Sequence, residues 1–166
     1  MQTRLQTFDM PNSVTYVGHG LFEHCFDLTQ VNLSNNLTEI SSSMFWFCEN
    51  LQSVILPSGI KSIGSHAFYY CYSLTDLILP NTLQSINSQA FYYCGALKNL
   101  TIPASVNFIA NNAFNDCYEL EYMVLEPSTP PQINGSIVNT CPIIYVPQNS
   151  VEIYMNHNNW GMYDIR

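Results

Sequence analysis

The stretch Leu56–Pro80, LPSGIKSIGSHAFYYCYSLTDLILP, contains one complete unit of an internal repeat. Its central motif AFYYC, at Ala67–Cys71, returns unchanged 23 residues later at Ala90–Cys94. The same interval separates five cysteines, each with a phenylalanine three residues before it and a leucine three residues after it. These cysteines are Cys25, Cys48, Cys71, Cys94 and Cys117. Such a fixed period predicts a solenoid, in which each unit buries the apolar face of its neighbours.

The apolar positions predict the path of each unit. Val54 and Leu56 alternate with polar or outward positions, as in a short half-buried strand, and Pro57 then ends the strand. The isoleucine eight residues before the cysteine indicates a second short strand or an extended turn on the return side. We therefore predict an α/β-type solenoid that is mostly β. It is a right-handed leucine-rich repeat array with a parallel concave sheet and little helix, built from a leading half unit and about five units over residues 1–126.

The quoted stretch resembles the 23-residue leucine-rich repeat of BspA-like surface proteins, because its Ala-Phe-x-x-Cys and Leu-Pro elements stand at the family positions. The resemblance covers residues 5–126. The first units depart from it, with Leu21-Phe22 and Met44-Phe45 in place of Ala-Phe and Leu33-Ser34 in place of Leu-Pro. The resemblance implies adhesion and an extracellular or cell-surface location. The first residues, MQTRLQTFDMP, lack the apolar segment of a signal peptide, so an exported protein would carry its signal upstream, and the alternative is an intracellular protein or a fragment. The N-terminus also shows no cap, which favours a longer native array at that end.

Residues 127–166 are predicted to form a C-terminal cap, because the period fails after a proline-rich break. The apolar run Ile143–Val146 predicts a capping strand. Asn149 and Glu152 have the spacing of a capping box, which predicts a short helix over roughly Ser150–His157. We expect Val151, Tyr154 and Met155 of this helix, with Trp160 beyond it, to cover the last repeat. The Tyr-Val-Pro strand, the tyrosine and the later tryptophan also resemble the C-terminal piece of the family.

The charge pattern argues against a nucleic-acid partner, and the length of the apolar runs argues against membrane insertion. The chain has a net charge of −8 and only four basic residues, Arg4, Lys61, Lys98 and Arg166, which do not cluster. Binding to nucleic acid requires clustered lysine and arginine, so no nucleic-acid partner is expected. No apolar run approaches the ~20 residues that span a bilayer, so no membrane insertion is expected.

The cysteines and histidines do not form a recognisable catalytic or metal-binding motif. Zinc sites use close cysteine pairs, whereas these cysteines are 23 residues apart. We expect a ladder of buried thiols rather than disulfides, with Cys141 outside it and more exposed. Cys71→Ser is then expected to bury a hydroxyl without a partner, at a cost of about 1–3 kcal/mol. We expect no enzyme activity, no cofactor and no metal.

The first candidate binding surface lies on the strands, where the residues flanking each central apolar residue face outward. Isoleucine and valine are unusual at solvent-facing positions, and an exposed apolar strip often marks an interaction surface. The alternative is that these residues are chosen for strand propensity. The candidates are Ser53, Ile55, Asp76, Ile78, Asn99, Thr101, Tyr122 and Val124.

The second candidate surface is an aromatic strip that follows the repeated phenylalanine. One of its two columns is expected to stack between turns and the other to be exposed to proteins or sugars. Its members are Trp46, Tyr69, Tyr70, Tyr92 and Tyr93.

These surfaces lead to three functional hypotheses. The first is a non-catalytic protein-interaction and adhesion module at the cell surface, whose partners are host or neighbouring-cell proteins or surface polymers such as matrix components. The second is a carbohydrate-binding module that binds glycans on the aromatic strip. The third is a passive structural spacer.

Overall fold

The computed structural model describes residues 5–140 and 142–166. The expected exposure of Cys141 therefore lies outside the described residues. Within them the chain forms twelve short strands, a 3-10 turn (Gln148–Ser150) and one short helix, α1 (Val151–Met155). The strands are β1 (Thr7–Asp9), β2 (Gln30–Asn32), β3 (Glu39–Ile40), β4 (Ser53–Ile55), β5 (Ser62–Ile63), β6 (Ser85–Ile86), β7 (Asn99–Ile102), β8 (Phe108–Ile109), β9 (Tyr122–Leu125), β10 (Gln132–Ile133), β11 (Ile143–Tyr145) and β12 (Asp164–Ile165).

Every repeat unit except the one that contains residues 76–78 contributes one strand to the side of the array that we call the strand face. All pairs are parallel, and residues 23 apart stand opposite each other between repeat units, as Val31 does to Val54. This face consists of a sheet in the order β1-β2-β4 and a second sheet in the order β7-β9-β11-β12. The parallel arrangement predicted from the repeat is confirmed.

The strand face is interrupted in the unit that follows β4. Asp76 forms only an isolated bridge with Ser53, and residues 76–78 do not pair with β7. The amide of Thr75 donates to Gln52 O at 3.2 Å, but the described residues lack the corresponding bond from Lys98 to Thr75. Leu77 is consequently only partly buried, although the repeat places it at the same position as the buried Leu100. Aspartate is among the residues disfavoured in strands, which is consistent with the break at Asp76.

A second parallel sheet, the return sheet, runs without interruption along the array in the order β3-β5-β6-β8-β10. Its inward residues are the repeated isoleucines, such as Ile63 opposite Ile86. These isoleucines are fully buried. The second short strand expected on the return side is therefore present.

The third side, the turn face, is formed by the segments that carry the AFYYC motif. Successive backbone amides there donate alternately to the next unit and to their own turn. Those of Phe68 and Tyr70 donate to the next unit, at Ala90 O (2.8 Å) and Tyr92 O (2.9 Å), whereas that of Tyr69 donates within its own turn to His66 O (3.1 Å). His66 and Tyr70 have φ values of 58° and 60°. This left-handed conformation costs a non-glycine residue about 1–2 kcal/mol, which the bonds between units offset.

The core consists of columns of identical residues. The repeated phenylalanines stack with ring centroids 5.1–5.4 Å apart and interplanar angles of at most 16°. Beside them, the thiol of Cys71 donates to Phe45 O at 3.2 Å, and Cys48, Cys94 and Cys117 repeat this bond. The expected ladder of buried thiols is confirmed for these four cysteines, whereas Cys25 is only partly buried. The expectation that a hydroxyl at Cys71 would lack a partner is wrong, because this carbonyl is within reach.

The C-terminal residues cover the last repeat. Tyr154 and Trp160 are fully buried, and they donate to Pro127 O (2.9 Å) and Pro131 O (2.8 Å). Two expectations are wrong: Met155 is exposed, and the helix begins after Ser150 without a side-chain cap, because a 3-10 turn precedes it. In the described part of the chain, no helix is long and apolar enough to cross a membrane. The division at residue 126 stays a prediction.

Candidate functional site

The strand-face candidates divide into three groups. Ile55 and Ile78 are 67% and 85% exposed, as the sequence predicted for outward positions. With Asp76 and Pro80 they line a depression of about 410 Å³ whose walls are mainly aliphatic. The cleft lies where the sheet stops after β4, because residues 76–78 pair with β4 only through the isolated bridge between Ser53 and Asp76. We call it the Ile55/Ile78 cleft.

Asn99 and Thr101 lie on the far side of the interruption. They line a neighbouring depression of about 310 Å³ that shares Asp76 and Ile78 with the Ile55/Ile78 cleft. Ser53 completes the first group as a half-buried member of the cleft wall. The structure therefore brings six of the eight strand-face candidates together around one unpaired segment.

Tyr122 and Val124 form the third group, which lies beyond these depressions. Val124 is only half-buried rather than exposed, because it stands opposite Tyr145 of β11. Tyr122 contacts Tyr145 edge to face, with ring centroids 5.9 Å apart. The C-terminal strands thus extend the strand face but cover part of its apolar surface.

The aromatic candidates form two adjacent columns on the turn face. Tyr69 stacks on Tyr92 with centroids 4.9 Å apart, and Tyr70 stacks on Tyr93 at 4.4 Å. Trp46 continues the first column and meets Tyr69 edge to face at 6.0 Å. All five side chains are half-buried. Both columns therefore take part in stacking between turns, whereas the sequence predicted this for only one.

Stacking decides which parts of these rings are accessible. The interplanar angles of the two tyrosine pairs are 10° and 5°, so each ring covers the face of its neighbour. A sugar that packs on an aromatic side chain requires a free ring face. This geometry favours a structural role for the aromatic strip over a carbohydrate platform.

Asp116 ends the aromatic columns. It accepts a hydrogen bond from Asn139 at 2.8 Å and another from Tyr92. These bonds, that of Asn139 first, lower the pKa of Asp116. The bond to Asp116, together with burial, raises the pKa of Tyr92 to about 12. The cluster acts as a polar end to the stack of rings.

The sequence places Phe47 beside Trp46 in the aromatic pair after the repeated phenylalanine, but sequence reasoning missed His24, Tyr72 and Tyr118 as members of the turn face. Phe47 stacks on Tyr70 at 4.6 Å, and His24 stacks on Phe47 at 5.3 Å. Tyr72 and Tyr118 are exposed on either side of Gly95, and Tyr118 donates to Tyr93 at 3.0 Å between hydroxyls. The signal available was weak, because the position after each cysteine varies between aromatic, acidic and glycine residues.

The thiols of the ladder are suited to packing rather than chemistry. Cys25, Cys48, Cys71, Cys94 and Cys117 are all free, and the last four are buried. Burial raises the pKa of the Cys48 thiol to about 12 and that of Cys71 well above its ordinary value. Such thiols are poor nucleophiles. Residues 5–140 and 142–166 hold no group of three or more histidine, cysteine or acidic side chains that is placed to bind a metal.

The fold has counterparts among solved structures. A leucine-rich repeat protein of T. pallidum is 24% identical, with a TM-score of 0.72 over 94% of this chain and 86% of that one, which shows the fold. A leucine-rich cell surface protein of Faecalibacterium prausnitzii is 26% identical, with a TM-score of 0.68 over 88% of this chain and 42% of its own. A leucine-rich repeat protein of Eubacterium ventriosum is 28% identical, with a TM-score of 0.64 over 68% and 30%.

The chain thus spans less than half the length of the last two structures. Among curated proteins, none matches it at a significant level. The profile of the BspA type leucine-rich repeat region matches residues 1–121 in six copies, which is more than half of the sequence. The chain therefore belongs to the family of BspA-type leucine-rich repeat proteins.

Proposed function

We propose that this protein is a non-catalytic protein-interaction and adhesion module that binds its partner at the Ile55/Ile78 cleft. The observation that carries the proposal is the exposure of two isoleucines, at 67% and 85%, around an interrupted sheet. Exposed aliphatic side chains that line a concave surface mark interaction sites more often than isolated ones do.

The cleft suits a segment that inserts an apolar side chain. Its volume of about 410 Å³ and its aliphatic walls favour a leucine-sized or aromatic anchor between Ile55 and Ile78. Burying both isoleucines against a partner removes them from water, which stabilises a complex by about 1.5–3 kcal/mol for each fully covered side chain.

The charge of the cleft defines the rest of the partner. Asp76 lines both depressions, and within the described residues its carboxylate has only the hydroxyl of Thr75 as a hydrogen-bond partner, at 3.2 Å. Lys98, just before β7, forms an ion pair with Glu119, in which its ammonium nitrogen lies 4.0 Å from a carboxylate oxygen. With a net charge of −8 for the chain, the complementary partner is a peptide segment that carries lysine or arginine beside its apolar anchor.

We propose that this binding takes place at the cell surface, with a host or neighbouring-cell protein as the partner. Membership of the BspA-type family supports this location, as does the similarity to the F. prausnitzii cell surface protein. Antibody labelling of intact cells of the source organism tests it. Labelling only after the cells are permeabilised would contradict the proposed location.

The binding proposal is tested with random peptides displayed on phage and with immobilised matrix proteins. We expect enriched peptides to carry an apolar residue next to lysine or arginine. The double variant Ile55→Lys, Ile78→Lys should abolish their binding, and Asp76→Lys should weaken it. Ile153→Lys is the matched control, because Ile153 is 50% exposed on α1, outside the strand face.

Two outcomes would contradict the proposal. One is that no peptide or matrix protein binds, which is what a passive spacer predicts. The other is that the Ile55→Lys, Ile78→Lys variant and the Ile153→Lys control bind equally well. Thermal melting of each variant shows that any loss of binding does not come from unfolding.

A further inference from the structure

A separate depression of about 340 Å³ lies at the N-terminal half of the return sheet, away from the Ile55/Ile78 cleft. Three rows of repeat-equivalent positions line it, and nearly all of their side chains are polar. The first row is Tyr16, Glu39 and Ser62; the second is His19, Ser42 and Ser65; the third is Ser41, Gly64 and Asn87. We call this depression the Tyr16 groove.

Gly64 lines the groove and differs from the residues at the same repeat position in the units on either side. Its counterparts Ser41 and Asn87 donate from their side chains to the preceding unit, at Gly18 O (2.9 Å) and Ile63 O (2.8 Å). Gly64 has no side chain that could donate such a bond. A side chain there is excluded, because its first carbon would lie 2.5 Å from the backbone nitrogen of Ser42.

Several polar groups around Gly64 have no partner. In the described ranges, 5–140 and 142–166, the hydroxyls of Ser42, Ser62 and Ser65 make no hydrogen bond, although the three residues are half-buried. One unit later the situation differs, because Ser88, the counterpart of Ser65, donates to the side chain of Asn111 at 3.0 Å. The groove therefore offers hydrogen-bonding groups that the fold itself does not use.

An aromatic ring with free faces stands at the rim. Tyr16 is 68% exposed, and no other aromatic ring of the described residues contacts it. This distinguishes it from Tyr69, Tyr70, Tyr92 and Tyr93, whose faces cover one another. An accessible tyrosine ring presents an apolar face beside the polar groups of the groove.

We propose that the Tyr16 groove binds a neutral saccharide. A saccharide ring has an apolar C–H face that packs on an aromatic ring, and hydroxyls that both donate and accept hydrogen bonds. Tyr16 supplies the first contact, and Glu39 with the serine hydroxyls supplies the second. The volume suits one or two sugar units. The carboxylate of Glu39 and the net charge of −8 disfavour an anionic sugar.

The test uses the whole chain and a panel of neutral methyl glycosides and disaccharides at millimolar concentration, with saturation-transfer NMR as the readout. We expect at least one of them to receive saturation from the protein. Tyr16→Ala and Glu39→Ala should each weaken its binding about tenfold, since each removes one of the two kinds of contact. Tyr72→Ala is the matched control, because Tyr72 is also exposed but lies on the turn face.

Retained binding in Tyr72→Ala together with lost binding in Tyr16→Ala and Glu39→Ala supports the proposal. Three results overturn it: no saturation transfer to any neutral saccharide, binding that both groove variants leave unchanged, or an equal loss in Tyr72→Ala. The variant Ser65→Gln keeps the site polar but fills the groove, and it should also abolish binding. Its melting temperature, compared with that of the unmodified protein, separates a filled groove from an unfolded chain.

Discussion

The turn face and the strand face arise from the same 23-residue repeat, yet only one of them is continuous. On the turn face, Phe68 stacks on Phe45 and Phe91 at 5.1 Å on both sides, and the backbone bonds pass from unit to unit. On the strand face the sheet stops after β4 and starts again at β7. Repetition of the core residues is therefore sufficient for a continuous turn face but not for a continuous sheet.

The difference follows from which positions the repeat holds constant. The turn face depends on the phenylalanine and the cysteine, which are present in every unit from Phe22 to Cys117. The strand face also depends on the outward residues that flank the central one, and these vary from Asn99 and Thr101 to Asp76 and Ile78. Binding surfaces are expected where the sequence is free to vary, which is where the Ile55/Ile78 cleft lies.

The largest effect is expected on the turn face. Phe68→Ala removes a fully buried ring from the middle of the column and should lower the free energy of unfolding by about 3–5 kcal/mol. Urea denaturation measures it. Phe91→Ala should behave alike, because its ring is stacked between two neighbours at similar centroid distances, 5.1 and 5.4 Å. A loss below about 1 kcal/mol in either variant would contradict a continuous, tightly packed column.

The strand face should respond unequally at two positions that the repeat makes equivalent. Leu100→Ala, at a buried position in β7, should cost about 2–5 kcal/mol through the cavity that it leaves. Leu77→Ala should cost less, about 1–2 kcal/mol, because Leu77 is only partly buried beside the interruption. Chemical denaturation of both variants compares them directly. Equal losses would show that the sheet continues through residues 76–78.

A smaller effect is expected from Cys71→Ser. The serine hydroxyl can donate to Phe45 O, as the thiol does at 3.2 Å, so the loss should be about 1 kcal/mol. The same measurement applies, and Cys94→Ser should match it, because Cys94 makes an equivalent bond to Phe68 O. A loss above about 3 kcal/mol would mean that the hydroxyl remains without a partner.

The smallest effect concerns the polar end of the aromatic columns. The hydrogen bonds from Asn139 and Tyr92 lower the pKa of Asp116, so the folded state binds a proton less readily than the unfolded state. The stabilisation from this carboxylate is present above its ordinary pKa of 3.8 and is lost as the pH falls below that value. Melting temperatures should therefore fall less in Asp116→Asn than in the unmodified protein on acidification. An equal fall in melting temperature with pH in both proteins would show that the Asp116 carboxylate does not contribute to stability in this way.

The repeated part of the fold could be predicted from the sequence. The positions of Ile63, Phe68 and Cys71 recur in every unit, so periodicity alone places them in the core, where the structure has them. The burial of Tyr154 and Trp160 over the last repeat was also predictable, because a terminal unit requires an apolar cover.

The local departures could not be predicted. The interruption at Asp76 depends on whether strand pairing or the local surroundings prevail in one single unit. It could not be predicted, because the repeat period describes only the features that all units share. In the Tyr16 groove, the backbone of Ser42 approaches Gly64 so closely that no side chain fits there, which a sequence does not show. Ring stacking was underestimated for the same reason: both tyrosine columns stack, although a sequence does not show which ring faces are covered.

The one-sided interruption also has a mechanical consequence. The return sheet connects β5 to β6 without a break, and the turn face passes from Tyr70 to Tyr92 through its backbone bonds. On the strand face, the described residues of the same two units share only the isolated bridge between Ser53 and Asp76 and the neighbouring bond from the Thr75 amide to Gln52 O. A stack that is held on two sides and loose on the third bends about the held sides. We therefore expect the array to bend between two rigid parts, one on each side of the interruption. A ligand bound in the Ile55/Ile78 cleft would restrict this bending and fix the curvature of the array.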